Sequence, residues 1–245
     1  MKNENKRQVN IMPMAGDGLR LKGAGHNLPK PLIDINGEPM FIRSAKCMPN
    51  ADLWIFITKK KFVDENKIDQ IIKENFKNYE IITVEETTEG QAASCYLAKK
   101  FLKSEDSIFI NSCDSFIEFN FDEYNLKKNN FDILVFSTEC KDVHRKNPNS
   151  YGWIKKYDSG LLDLSCKKPF HKNLKDERPI VGSFVFNKSI FLINSLENLF
   201  KSKKKINNEY YLDMSIKECI NLGYKIEELK VNKYMDWGDK EELKF

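Results

Sequence analysis

The chain has 245 residues, 41% of them hydrophobic, which is enough to bury a substantial core as one domain, and 31% charged with a net charge of +4. So small an excess of positive charge argues against a dedicated nucleic-acid binder and is accounted for by a single basic pocket. A polar N-terminus, no apolar run long enough to span a bilayer, and six cysteines spread without CxxC pairs give the expectation of a cytoplasmic protein with reduced thiols and no membrane partner.

Residues 9–13 predict a short buried strand, followed by Met14-Ala15-Gly16-Asp17-Gly18-Leu19-Arg20, where glycines stand as a strand turns toward a ligand. A long polar loop ends at Lys30-Pro31. Residues 32–35 then predict a brief strand closed by an Asn36-Gly37 turn, and Pro39 opens a helix to Met48. A strand at 53–58, an amphipathic helix at 63–76, a strand at 79–84, a polar loop at 85–90, a helix at 91–102 and a strand at 107–112 before Asp114 come next. A strand at 131–137 completes this part. Such alternation predicts an α/β fold with a mostly parallel sheet flanked by helices and its ligand at the strand C-termini. Beyond residue 137, strands at 152–157, 161–166 and 181–186 follow one another without helices and predict a small antiparallel extension. Helices at 188–201 and 210–222 and a strand at 225–231 lead to Asp236-Trp237-Gly238.

Three groups carry candidate chemistry. Backbone N–H groups of a tight turn at Gly16 and Gly18 can ring an anion, Arg20 can fork onto phosphate oxygens, and Lys30 can add a point charge, a set suited to a polyphosphate. Glycines after a strand are by themselves only a common turn. Asp114, just past an apolar strand, is placed to reach the crevice where α/β sheets bind ligands and to hold Mg2+, although an Asp there can equally cap a helix. Asp236 also follows a strand and would complete a metal site if the fold brought it beside Asp114. His26, His144 and His171 share no metal-ligand spacing.

With Ala15-Gly16-Asp17-Gly18-Leu19-Arg20, Lys30-Pro31, Gly37-Glu38-Pro39, Glu89-Gly90-Gln91, Asp114, Lys168-Pro169, Gly182, Glu209-Tyr210-Tyr211-Leu212-Asp213 and Asp236-Trp237-Gly238 in that order, the chain resembles the sugar-phosphate nucleotidylyltransferase family over nearly its whole length. The resemblance implies a Rossmann-like nucleotidyltransferase fold in one domain of residues 1–245, with 1–137 as the nucleotide-binding half and 138–245 as the acceptor-binding half. It implies that Met14, Ala15, Gly16 and Gly18 hold a nucleoside triphosphate, that Arg20 and Lys30 act on the reacting phosphates, and that Glu89, Gly90 and Gln91 lie near the base. Lys168 would meet the phosphate of a small phosphorylated acceptor that Gly182 and Glu209 border, Asp114 and Asp236 would bind Mg2+ as cofactor, and homo-oligomer formation stays open.

Two departures stand out. Leu19 lacks the hydroxyl that the family usually carries before its arginine, and Lys167 replaces the usual Glu before Lys-Pro, which puts a second cation on the acceptor side. The expectation is therefore an acceptor other than a plain hexose phosphate, with CTP as the triphosphate, as in the cytidylyltransferases of surface-polysaccharide decoration, CTP:phosphoglutamine cytidylyltransferase among them. A glycosyltransferase of related fold and a non-catalytic nucleotide-binding homologue are the alternatives.

Overall fold

The computed structural model describes residues 6–18, 21, 28–128, 130–160, 162–174, 177–238 and 243. Its strands and helices run β1 (Gln8–Pro13), α1 (Met40–Ala45), β2 (Leu53–Lys59), α2 (Lys60–Asn66), α3 (Ile68–Asn75), β3 (Tyr79–Val84), α4 (Gln91–Tyr96), β4 (Ser107–Ile110), β5 (Ser115–Glu118), α5 (Phe121–Lys127) and β6 (Ile133–Ser137). They continue with α6 (Asp142–Lys146), β7 (Gly152–Lys156), β8 (Leu162–Cys166), β9 (Glu177–Phe186), α7 (Ser189–Ser202), α8 (Leu212–Asn221), β10 (Ile226–Lys230) and β11 (Lys233–Asp236).

The main sheet is ordered β10-β6-β9-β4-β1-β2-β3, with β7 beside β9 and β8 beside β7. β1 pairs in parallel with both β2 and β4, and β2 with β3, so the loops leaving β1, β3 and β4 emerge at one edge. Alternation along each strand supplies two apolar layers. Val9, Ile11, Ile108, Ile110, Phe184 and Phe186 face α4, α7 and α8, whereas Met12, Phe56, Phe109, Leu134 and Val185 face Phe41 of α1, Ile68 and Ile72 of α3 and Tyr124 of α5. No helix among the described residues is long and apolar enough to cross a membrane.

The expected α/β architecture with its antiparallel extension is present, and its deviations have local causes. The helix expected at 63–76 is broken by Lys67 at φ 54. In one continuous helix Phe62 would point roughly 120° away from Ile68, and the break lets Phe62 join Ile68 and Ile72 in the core. The helix expected to reach residue 102 tightens into a 3-10 turn over Leu97–Phe101, and α1 stops at Ala45. In place of a strand at 32–35 there is a 3-10 turn at Lys30–Leu32 and one bridge between Asp34 and Pro39, around the expected turn at Asn36 (φ 54) and Gly37 (φ 84). β5, α5, α6 and β11 are additions to the expected elements. β9 is more than part of an extension: it enters the main sheet antiparallel to both β4 and β6, so the two halves of the chain share one sheet.

His144 on α6 is a structural residue. It is 1% exposed, stacks edge-on to Tyr151 at 4.6 Å, and its Nδ1 accepts the Lys141 N–H at 2.9 Å, which places the neutral ring's proton on Nε2. Burial, reinforced by the charges of Lys141 and Arg145, lowers its pKa to about 4 from an ordinary 6.5. Between these values the unfolded chain takes up a proton that the folded chain refuses, so stability is intact above pH 6.5 and falls as pH drops toward 4. After discounting for solvent screening the loss is on the order of 2 kcal/mol. In urea unfolding at pH 7 and pH 4.5, the wild type should lose that much more stability than His144→Gln; equal losses would assign the acid lability to other groups.

Candidate active site

The loop after β1 and Lys30 form one wall of a cleft of about 460 Å3, lined by Met14, Ala15, Gly16, Gly18 and Lys30 from this wall. Gly18 takes φ +60, and a Cβ on it would stand 2.8 Å from Lys30 Cβ, so the left-handed turn and the close approach of Lys30 both require glycine. Asp17 between the two glycines also lines the cleft, forms an ion pair with Lys59 and accepts the Thr87 hydroxyl at 2.7 Å, which ties the loop to the segment after β3. Leu19 and Arg20 lie outside the described residues, as does His26.

The opposite wall joins residues far apart in the chain. Tyr210 N–H donates to Glu89 O at 2.7 Å and Ala92 N–H to Tyr210 O at 3.0 Å. Gly90 sits between them at φ +111, where a Cβ would stand 2.6 Å from Tyr210 O. Thr87, Thr88, Gly90, Gln91 and Ser94 line this side together with Glu209. Glu89 contributes its backbone only. Its exposed carboxylate pairs with Lys205 at 2.6 Å, and Glu89 is not among the residues that line the cleft.

Asp114 hangs from a loop held by a buried polar network. Asn111, 0% exposed, donates through Nδ2 to Ser44 O and Ser115 O at 3.2 Å and accepts at Oδ1 from the hydroxyls of Ser183 (2.6 Å) and Ser115 (3.1 Å). The Ser112 hydroxyl donates to Asp114 Oδ1 and Lys30 Nζ to Asp114 Oδ2, with Lys30 and Asp114 each 15% exposed. Asn111, Ser44 and Ser183 were not singled out from sequence; a polar residue abutting an apolar strand is the only signal Asn111 gives.

Asp236 reaches the same point by strand pairing. β11 runs antiparallel to β5 with Asp236 opposite Ser115, and Trp237 N–H donates to Asp114 O at 2.8 Å. A Cβ on Gly238 would stand 2.7 Å from Asp114 Oδ2, 2.9 Å from Asp236 Oδ1 and 3.4 Å from Lys30 Nζ. Two carboxylates thus converge on the space that a glycine leaves open, with hard oxygen donors suited to Mg2+. Among the described residues no group of three or more His, Cys, Asp or Glu forms a closed metal cage.

A smaller hollow of about 150 Å3 continues past Asp114 and Asp236 toward Gly152, Lys167, Gly182, Tyr211 and Asp213. Ile110 pairs with Phe184, so the residues preceding Phe184 pass alongside the end of β4, and Gly182 (φ +78) sits where the β6–β9 register shifts. Lys167, also left-handed at φ 57, lines the hollow; its ammonium donates to Ser150 O and lies 4.9 Å from the Tyr211 ring centroid. That turn makes successive side chains diverge. Lys168 is exposed and lines neither hollow, so the structure does not place it at the acceptor end as expected.

A larger hollow of about 700 Å3, lined by Arg145, Lys172, Arg178 and Lys230, lies apart from all of these residues. Three of these cations are paired, Arg178 with Glu228, Lys230 with Glu139 at 2.5 Å and Arg145 with Asp142 at 2.8 Å.

A family model described as nucleotidyl transferase matches residues 10–240. The bifunctional protein GlmU of Methanococcus maripaludis strain C5 is 28% identical over 230 residues, covering 94% of this chain and 50% of that protein. The chain thus spans about half the length of the curated relatives it matches. Among solved structures, the nucleoside-diphosphate-sugar pyrophosphorylase of Vibrio cholerae RC9 superposes with a TM-score of 0.77 at 18% identity, covering 95% of this chain and 97% of that one. The inositol-1-phosphate CTP transferase of T. maritima gives 0.69 at 13% identity, covering 97% and 92%. These superpositions establish the shared fold.

Proposed function

Since this chain belongs to the nucleotidyl transferase family, we propose that it transfers a nucleotidyl group from a nucleoside triphosphate, CTP foremost, to a small phosphorylated acceptor and releases pyrophosphate. The observation that carries the proposal is the convergence of Lys30, Asp114 and Asp236 on the gap at Gly238, between the glycine loop and the hollow that holds Lys167. The reaction needs no general base, because an acceptor phosphate oxygen is already ionised. It attacks the α-phosphorus in line, the bond to the bridging oxygen of the β-phosphate breaks, and the electron pair leaves on pyrophosphate.

The chain's residues position and neutralise. Gly16 and Gly18 keep the phosphate wall open to backbone N–H groups, and Lys30 Nζ offsets charge growing on the departing pyrophosphate. Arg20 is proposed to assist Lys30. Gly90 and Gln91 border the base, and Lys167 draws the anionic acceptor against repulsion from the triphosphate, with Gly182 and Glu209 at its edges. Asp114 and Asp236 would hold Mg2+, which would supply positive charge to the reacting phosphates.

CTP leads because the acceptor side departs from the hexose pattern at Lys167, and because the T. maritima neighbour bears the name of a CTP transferase acting on inositol 1-phosphate. Six free thiols suit a cytoplasmic setting, and a product feeding surface-polysaccharide assembly fits a non-hexose acceptor. Pyrophosphate release from each common triphosphate against phosphorylated sugars, polyols, amino acids and choline tests the reading. CTP should lead, and Lys167→Glu should weaken the acceptor by roughly 1.5–3 kcal/mol while the triphosphate Michaelis constant holds. An unmoved acceptor constant, or efficient wild-type use of glucose 1-phosphate, would remove the case for an unusual acceptor.

A further inference from the structure

At the far end of the acceptor hollow, the first turn of α8 carries a residue that the proposed reaction does not use. Asp213 lines the hollow together with Lys167, Tyr211 and Gly182. Its carboxylate occupies space that only a glycine at position 152 leaves: a Cβ on Gly152 would overlap Asp213 Oδ2 and stand 2.7 Å from Cγ. β7 therefore begins without a side chain at the one point where a carboxylate must fit against it.

Charge makes this placement specific. A carboxylate drawn out of water is costly unless a partner neutralises it. Lys167, the cation whose field reaches Asp213, donates to Ser150 O and lies over the Tyr211 ring, while the Cys166 thiol offers Asp213 only a weak hydrogen bond. Burial outweighs these and a backbone N–H hydrogen bond together and raises the Asp213 pKa to about 6. A hydroxyl arriving in the hollow would give this carboxylate a hydrogen bond but leave its charge uncancelled; an ammonium would give it a hydrogen bond and the neutralising charge together. The hollow also holds Asp114 and Asp236, so Lys167 is the one cation among its described lining residues against three carboxylates.

Resting on the nucleotidyl-transfer reading above, we propose that Asp213 is a specificity-determining residue that receives an ammonium group of the acceptor, so that the acceptor is a phosphorylated amino compound and not a plain sugar phosphate. Lys167 and Asp213 then divide the work, the first attracting the acceptor's anionic part and the second its cationic part.

The test uses acceptor pairs that differ only in ammonium against hydroxyl: glucosamine 1-phosphate and glucose 1-phosphate, phosphoethanolamine and ethylene glycol phosphate, phosphoserine and 3-phosphoglycerate. Pyrophosphate release should favour the amino member of at least one pair by about 10- to 100-fold in kcat/KM, the range of a charged hydrogen bond. In Asp213→Asn that ratio should fall to near one, with the triphosphate Michaelis constant reporting the integrity of the rest of the cleft. Asp213→Thr, which removes the charge with a smaller side chain, decides the matter if the Asn variant fails to fold. Hydroxyl members used as well as amino members in every pair, or a preference that survives both substitutions, would overturn the role of Asp213 and leave nucleotidyl transfer standing. Pyrophosphate release with no acceptor of any kind would overturn both.

Discussion

Lys30→Met is expected to lower turnover about 100- to 10,000-fold, and Asp114→Asn by a similar factor, because both act on charge that develops as pyrophosphate departs. Neither residue belongs to the apolar layers that hold the sheet, so the circular dichroism spectrum should be unchanged. The two side chains touch, Lys30 Nζ donating to Asp114 Oδ2 at the cleft, and groups that act as a unit are not additive. The double variant should therefore be little worse than the poorer single one. Steady-state turnover under saturating Mg2+ decides: a single variant that keeps half of wild-type activity would remove the phosphate and metal roles assigned here.

Gly238→Ala should be nearly as damaging, although it adds one methyl group. The added Cβ would fall 2.7 Å from Asp114 Oδ2 and 2.9 Å from Asp236 Oδ1, in the space where a divalent cation would have to sit. Mn2+ affinity, read by electron paramagnetic resonance on the enzyme without substrate, should weaken about 10- to 100-fold, the scale of a disturbed metal environment, and turnover should fall with it. EDTA should abolish wild-type activity, with Mg2+ or Mn2+ restoring it and Ca2+ doing so poorly, since Ca2+ accepts looser geometry and longer oxygen distances. Undiminished Mn2+ binding by the alanine variant would mean that the metal is held elsewhere.

Local pattern made much of the scaffold readable. Short apolar runs at Val9 to Met12, at Ile55 to Ile57 and at Ile108 to Ile110 mark strands buried on both faces, and the helical spacings between them imply a mainly parallel sheet. From that follow the loops at one edge, hence Gly16, Gly18, Gly90 and Asp114 on the cleft. Boundaries were less legible where one backbone residue decides, as at Lys67, whose left-handed conformation has no apolar signature.

Residue types and their order already say which groups carry charge and which segments pass the ligand edge: the glycine loop, Lys30, Asp114, Asp236 and Gly238 all lie on the cleft or its continuation. The folded chain alone brings Asp236 beside Asp114, because the β11–β5 pairing that joins them is a long-range choice of register that neither strand encodes alone. It also decided that β9 enters the main sheet, that Glu89 turns to Lys205, and that Lys167 and not Lys168 faces the acceptor hollow. In the last case one left-handed residue sets which of two adjacent lysines points inward, and residue identity carries no record of a rotation that the surrounding strands impose.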